Sequence, residues 1–223
     1  MAGDIMKLSY TVKQNDSYIN VLDVLKNEFL LSARLITKLK QSNNIFFNEE
    51  ITYTKKLVYA NDVVSVLIDF VEDNSNIVAP NIPLDIIYED EYLLAINKPA
   101  NMPVHPSMLH YEETLSNAVK YYFDTLNLKR KIRIVNRLDK DTSGIVIFAK
   151  NEYIQECLIK QMKTKELKKE YLAIVTGYLQ KKSDTLCFPI SRKEGSIIER
   201  TVNPNGDIAI THYNILKEQN NLS

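Results

Sequence analysis

Residues 71–83, VEDNSNIVAPNIP, follow neither the 3.6-residue period of a helix nor the alternation of a strand, and they contain two prolines. A core cannot continue through a stretch with no apolar face, so the chain must fold as a small unit in front and a larger one behind. The 223 residues then divide into an extension (1–17), a small domain (18–71), a linker (72–83) and a larger domain (84–223). With 45% hydrophobic residues, both parts are long enough to bury a core.

Several function classes are excluded by what the chain lacks. Two cysteines, Cys157 and Cys187, show no Cys-x-x-Cys spacing, so neither a disulfide framework nor a zinc site is expected. Five glycines, at 3, 144, 177, 195 and 206, cannot form a Gly-x-Gly-x-x-Gly or Walker-type phosphate cradle. His105, His110 and His212 form no His-x-x-x-His pair, and no Gly-x-Ser-x-Gly elbow exists. The chemistry must therefore rest on another group, of which a carboxylate is the first choice, with no metal and no cofactor. The start, MAGDIMKLSY, has no apolar signal core and no run is long enough to span a bilayer, which places the protein in the cytoplasm with no membrane partner.

The zero formal charge hides a segregation: residues 129–193 hold 16 Lys and Arg against 7 Asp and Glu, leaving the rest at 12 against 21. Such a basic stretch suits a polyanion, although lysine-rich helices are often only solvated faces. Lysine at 22 against arginine at 6 points to an AT-rich bacterial genome.

In the small domain, INVLDVLKNEF and SARLITKLK have helical spacing, with Asp16 and Ser17 as caps for the first helix and Leu35, Ile36 and Leu39 on one face of the second. IFFNEEIT reads as a hairpin and DVVSVLIDF as a β-branched strand. Arg34, Lys38 and Lys40 flank the apolar stripe of the second helix, where they can touch phosphate. Ser32, Arg34, Leu39 and Lys40 ahead of Ile45-Phe46-Phe47-Asn48, closing with Asn61-Asp62-Val63-Val64, resemble the S-four-type RNA-binding domain. The resemblance spans residues 18–70 and implies RNA contact through Arg34, Lys38 and Lys40.

The larger domain alternates strands and helices: DIIYED, YLLAINKP, a helix in TLSNAVKYYF, the strand pair IRIV and GIVIFA, a helix capped by Asn151, and an apolar run, EYLAIVTG, expected as a central strand. The fold class is α+β, with a mixed, mostly antiparallel sheet in the larger domain. Arg137-Leu138-Asp139 falls between two strands, just before Lys140-Asp141-Thr142-Ser143-Gly144. Loops held by a rigid sheet are favoured places for catalytic groups, yet from the spacing alone an Asx-type turn capped by Asp139 and Asp141 is the better reading.

The whole string decides between these. NRLDKDTSG followed by IVIFAK resembles the catalytic motif of the RluA-like pseudouridine synthases, NKPANMPVHP (97–106) resembles that family's earlier motif, and KKEYLAIVTG (168–177) its tyrosine motif. The resemblance implies a catalytic Asp139 that detaches uracil from ribose before C5 rejoins C1′, and a flipped-out base. It also implies substrate contacts from Arg137, Asn136, Thr142 and Tyr171, and mainly structural roles for Lys98 and His105. RNA, ribosomal or transfer, is the implied partner of a monomeric enzyme. Asn136 stands where histidine is usual, and Asn101 where glycine is usual, in a backbone conformation asparagine tolerates. The family's last motif, a Thr-Gly-Arg-Thr-His-Gln-Ile-Arg-like stretch, is not met before Ser223, so the catalytic domain is expected to be truncated. Two alternatives remain: an RNA-binding protein of this ancestry without catalysis, and a carboxylate hydrolase acting on a small glycoside.

Overall fold

The computed structural model describes residues 6–68, 71–72, 74–107, 111–196 and 199–223. They form two units, Met1–Lys168 and Lys169–Ser223. Among the described residues no helix is long and apolar enough to cross a membrane.

The first unit opens with β1 (Met6–Thr11), α1 (Val21–Asn27), α2 (Ala33–Gln41), β2 (Ile45–Phe47), β3 (Glu50–Ile51) and β4 (Val63–Ile68). The strands form an antiparallel sheet in the order β1-β4-β2-β3. Against it pack Val24 and Leu25 of α1 and Leu35, Ile36 and Leu39 of α2, with Val64, Val66 and Ile68 of β4. Each fully buried leucine contributes about 2 kcal/mol of transfer free energy. The β2–β3 turn is Asn48-Glu49, both at positive φ (47° and 72°), the backbone of a two-residue type I′ hairpin.

Two boundaries differ from the sequence expectation. Residues 6–11, placed in an extension, are the edge strand of this sheet; MKLSYT alternates, and Met6, Leu8 and Tyr10 pack against the core. The cap of α1 is Asn20, not Asp16 or Ser17. Asn20 and Asp23 exchange side-chain-to-backbone hydrogen bonds of 3.2 Å in a capping box. Asp16 instead accepts from Tyr10 Oη and Lys13 N–H, both at 2.8 Å, closing the turn after β1. Residues 69 and 70, the end of the expected DVVSVLIDF strand, lie outside the described residues, as does His110.

The unit continues with β5 (Ile86–Glu89), β6 (Leu93–Lys98), α3 (Leu115–Thr125), β7 (Arg133–Ile134), β8 (Gly144–Ala149) and α4 (Glu152–Lys163). These strands form a second antiparallel sheet, β5-β6-β8-β7. Its core joins Leu94 and Ile96 of β6 and Val146 and Phe148 of β8 to Leu115, Val119 and Phe123 of α3. Asn151 caps α4 as its sequence suggests, accepting from Ile154 N–H at 2.9 Å. Its apolar residues Ile154, Leu158 and Met162 are only half-buried.

The second unit holds β9 (Ser183–Arg192), β10 (Arg200–Val202) and β11 (Asp207–Asn214) in the antiparallel order β10-β9-β11. The expected central strand EYLAIVTG is not one. Only its end is paired: Val175 exchanges two 3.0 Å backbone hydrogen bonds with Ser223, and Gly177 N–H donates to Asn221 O at 2.8 Å. Leu172 and Ile174 are 84% and 80% exposed. Among the described residues no strand runs alongside residues 170–174, and an apolar run becomes a sheet centre only when neighbours supply both ladders.

Candidate active site

The connection from β7 to β8, residues 135–143, turns inward at Val135 and again at Leu138. Leu138 packs against the core of the second sheet, while Arg137 and Asp139 on either side are exposed. The triplet is thus an apolar anchor with a cation and an anion held outward. Gly144 ends the connection at φ +125°, a conformation L side chains rarely adopt.

Asp139 begins a tight turn in which its carbonyl accepts from Thr142 N–H at 3.2 Å. The carboxylate itself makes no hydrogen bond or ion pair among the described residues, so it does not cap the turn, as the Asx reading required. The turn is fixed from beneath. The carbonyl of Lys140 accepts from Met102 N–H (3.1 Å) and from Lys98 Nζ (3.0 Å). Lys98 is fully buried, and its other two protons go to the carbonyls of Pro99 and Met102, each at 2.8 Å.

An ammonium with three donors and three carbonyl partners is fully satisfied, which is how so buried a lysine is tolerated. Burial lowers its pKa, opposed by the attraction of Asp141 and Asp139. The structural role inferred for Lys98 is borne out by these contacts: it ties the loop at 98–102 to the turn that bears Asp139. Asn101, in that loop, takes φ +62°, the left-handed conformation anticipated for it. His105 is exposed.

Asn136 precedes the triplet. Its carboxamide is engaged with β8: Nδ2 donates to Ile145 O and Oδ1 accepts from Ile147 N–H, both at 2.9 Å. Asn136, Arg137, Asp139 and Thr142 thus share one connection, with Lys98 and Met102 beneath it. Tyr171 lies in the second unit, where it is 61% exposed.

The three cations of α2 differ from one another. Lys38 Nζ sits 3.1 Å from Glu72 and 3.5 Å from Glu152. Arg34 Nε lies 3.4 Å from Glu152, with its side chain still 85% exposed. Lys40 is exposed. Arg133 completes this cluster, donating to both oxygens of Glu72 at 2.5 and 2.7 Å. Burial pushes the Glu72 carboxyl up, but hydrogen bonds and charge from Arg133, with help from Lys38 and Lys131 N–H, outweigh it and bring the pKa down to about 2. Sequence reading missed this network. Its one signal was an arginine inside the apolar strand IRIV, a position where a buried carboxylate partner is needed.

An exposed carboxylate on a fixed strand-to-strand turn, following a small helix-and-sheet domain with a cationic helix, is an arrangement from which a carboxylate can do chemistry. Comparison with known proteins narrows it. Residues 92–223 match the family described as RNA pseudouridylate synthase. The uncharacterised RNA pseudouridine synthase YhcT of Bacillus subtilis (strain 168) is 34% identical over 96% of this chain and 70% of its own length. YjbO of the same strain, described likewise, is 34% identical over 83% of this chain and 66% of its own. The ribosomal large subunit pseudouridine synthase D of Blochmanniella floridana is 37% identical over 74% of this chain and 52% of its own. In solved structures, human RNA pseudouridylate synthase domain containing 4 aligns with a TM-score of 0.49 and 21% identity, over 60% of this chain and 54% of that one. The chain belongs to the RNA pseudouridylate synthase family. It spans between about half and seven-tenths of the length of these three curated relatives.

Proposed function

We propose that this chain isomerises uridine in RNA to pseudouridine, with Asp139 as the catalytic carboxylate and no cofactor. The observation that carries the reading is an exposed Asp139 whose carboxylate makes no hydrogen bond or ion pair among the described residues, on a turn fixed through Lys140 by the buried Lys98. In the reaction the N1–C1′ bond breaks and a C5–C1′ bond forms. N1 gains a proton and C5 loses one, so composition is unchanged. A carboxylate oxygen at C1′, or at the neighbouring ribose proton, supplies the negative charge this exchange needs.

The target base must leave its stack to reach Asp139. Arg137, exposed beside it, suits a phosphate or an unstacked base, and Tyr171 a base face, with Thr142 alongside the turn. Residues 18–71 act as the RNA-binding domain through Arg34, Lys38 and Lys40. Large-subunit ribosomal RNA is the first substrate to test, because a relative of this chain is named for it; transfer RNA is the second. The protein acts in the bacterial cytoplasm as a monomer.

The test is tritium release from RNA carrying 5-tritiated uridine, since the C5 hydrogen must leave. Release by the wild-type chain that falls at least a thousandfold in Asp139→Asn supports the proposal. RNA binding without release would favour the non-catalytic RNA-binding alternative.

A further inference from the structure

Strand β7 ends unusually early. Its last regular pair is Ile134 with Phe148, after which Val135 N–H still donates to Ile147 O at 2.8 Å. In a continuing antiparallel ladder, the Ile147 N–H would return to the carbonyl of Val135, and Ile145 O would accept from the N–H of Arg137. Both places are taken by one side chain. Asn136 Oδ1 accepts from Ile147 N–H and its Nδ2 donates to Ile145 O, each at 2.9 Å. A carboxamide has the donor and acceptor of a peptide group, so β8 sees an unbroken partner while the real backbone is released at residue 136. Three residues later that backbone presents Asp139.

We infer that Asn136 is a positioning residue: its side chain completes the β7–β8 ladder so that the main chain can leave the sheet and hold Asp139 in place for reaction. The inference rests on Asp139 being the catalytic carboxylate. It assigns Asn136 to the geometry of the turn rather than to substrate contact. Neither Asp nor Leu substitutes: a carboxylate keeps the acceptor but faces Ile145 O with a second lone pair, and Leu supplies neither bond. Misplacing a reacting group by about 1 Å costs on the order of a hundredfold in rate, and a group that only positions should act on kcat.

The experiment compares wild type, Asn136→Ala and Asn136→Asp by tritium release and by amide hydrogen exchange. Asn136→Ala should lower kcat 10- to 100-fold with KM within about threefold, and speed exchange at Ile147 at least tenfold, with the β6–β8 amides unchanged. Asn136→Asp should keep Ile147 protected yet lose part of kcat, because only the Ile145 bond is gone. A kcat within twofold of wild type in Asn136→Ala, or a loss confined to KM, overturns the inference. Should the wild-type chain release no tritium, the isomerase reading fails by itself. Exchange at Ile147 and amide shifts at Leu138 and Asp139 then decide whether Asn136 sets the turn: unchanged values in Asn136→Ala overturn it, altered values support it.

Discussion

Two lysines of the first unit hold chain segments together by opposite means. Lys98 is fully buried and bonds three neutral carbonyls under the Asp139 turn, whereas Lys38 is partly exposed and lies between two carboxylates, Glu72 and Glu152. The three acceptors of the carbonyl cage carry no titrating charge, so neither salt nor acid acts on them. The carboxylate cluster responds to both. The Asp139 turn is thus fastened by uncharged acceptors, and the seam between α2, residue 72 and α4 by acceptors whose charge varies with pH.

Removing the caged cation is the severest way to test that contrast. Lys98→Met leaves the carbonyls of Pro99, Met102 and Lys140 without the donor they share, in a site too buried for ready replacement by water. We expect a loss of about 4 kcal/mol in denaturant unfolding, with tritium release falling alongside. A loss under about 1 kcal/mol would mean the turn is held by Met102 N–H and the Leu138 anchor instead.

In the charged cluster the counterpart is Arg133→Met. Arg133 and Glu72 are each about nine-tenths buried, so removing the guanidinium leaves a carboxylate held by Lys38 and the Lys131 N–H among the described residues. The expected loss is about 3 kcal/mol. Replacing both partners, Arg133→Met with Glu72→Met, should recover most of it, and failure to recover would mean that packing of the guanidinium stem matters more than charge.

Acid separates the two regions without mutation. The Glu72 pKa is depressed from 4.5 to about 2, so its contribution to stability is complete above about pH 4.5 and disappears as pH falls through about 2. Between pH 6 and pH 3 the wild type should lose about 2 kcal/mol through this group. The check is a pH series of unfolding free energies against Glu72→Gln, whose curve should be flatter by that amount. Parallel curves would contradict the Arg133–Glu72 pairing.

Local signals made much of this fold readable. Asn151 before an amphipathic run marks α4, and the Asn48-Glu49 hairpin, β4, β6 and β8 follow from alternation and β-branching. The Asp139 turn is recognisable only as a whole string, because Asp139 and Asp141 by spacing better suit a capped turn. What stayed hidden depends on partners distant in sequence. MKLSYT becomes a strand because β4 lies beside it. EYLAIVTG stays irregular through residue 174 because no strand among the described residues runs beside it there. Asn20 won the α1 cap over Asp16 because Tyr10 and Lys13 claimed the latter. Glu72 and Arg133 meet across 61 residues, which no periodicity reports.

The smallest stability effect belongs to Arg34, and it is the most informative about RNA. Its side chain is 85% exposed and meets Glu152 through Nε at 3.4 Å, so Arg34→Ala should change unfolding free energy by less than about 0.5 kcal/mol. Lys38 is held by two carboxylates, whereas Lys40 and the outer guanidinium of Arg34 are exposed. If α2 contacts RNA, Arg34→Ala weakens binding across sequences alike and lowers the slope of log affinity against log salt by about 1. Lys38→Met should reverse the pattern, with a clear stability loss and a smaller change in salt slope. Equal salt slopes in Arg34→Ala and wild type would remove Arg34 from the RNA interface, leaving it a partner of Glu152 alone.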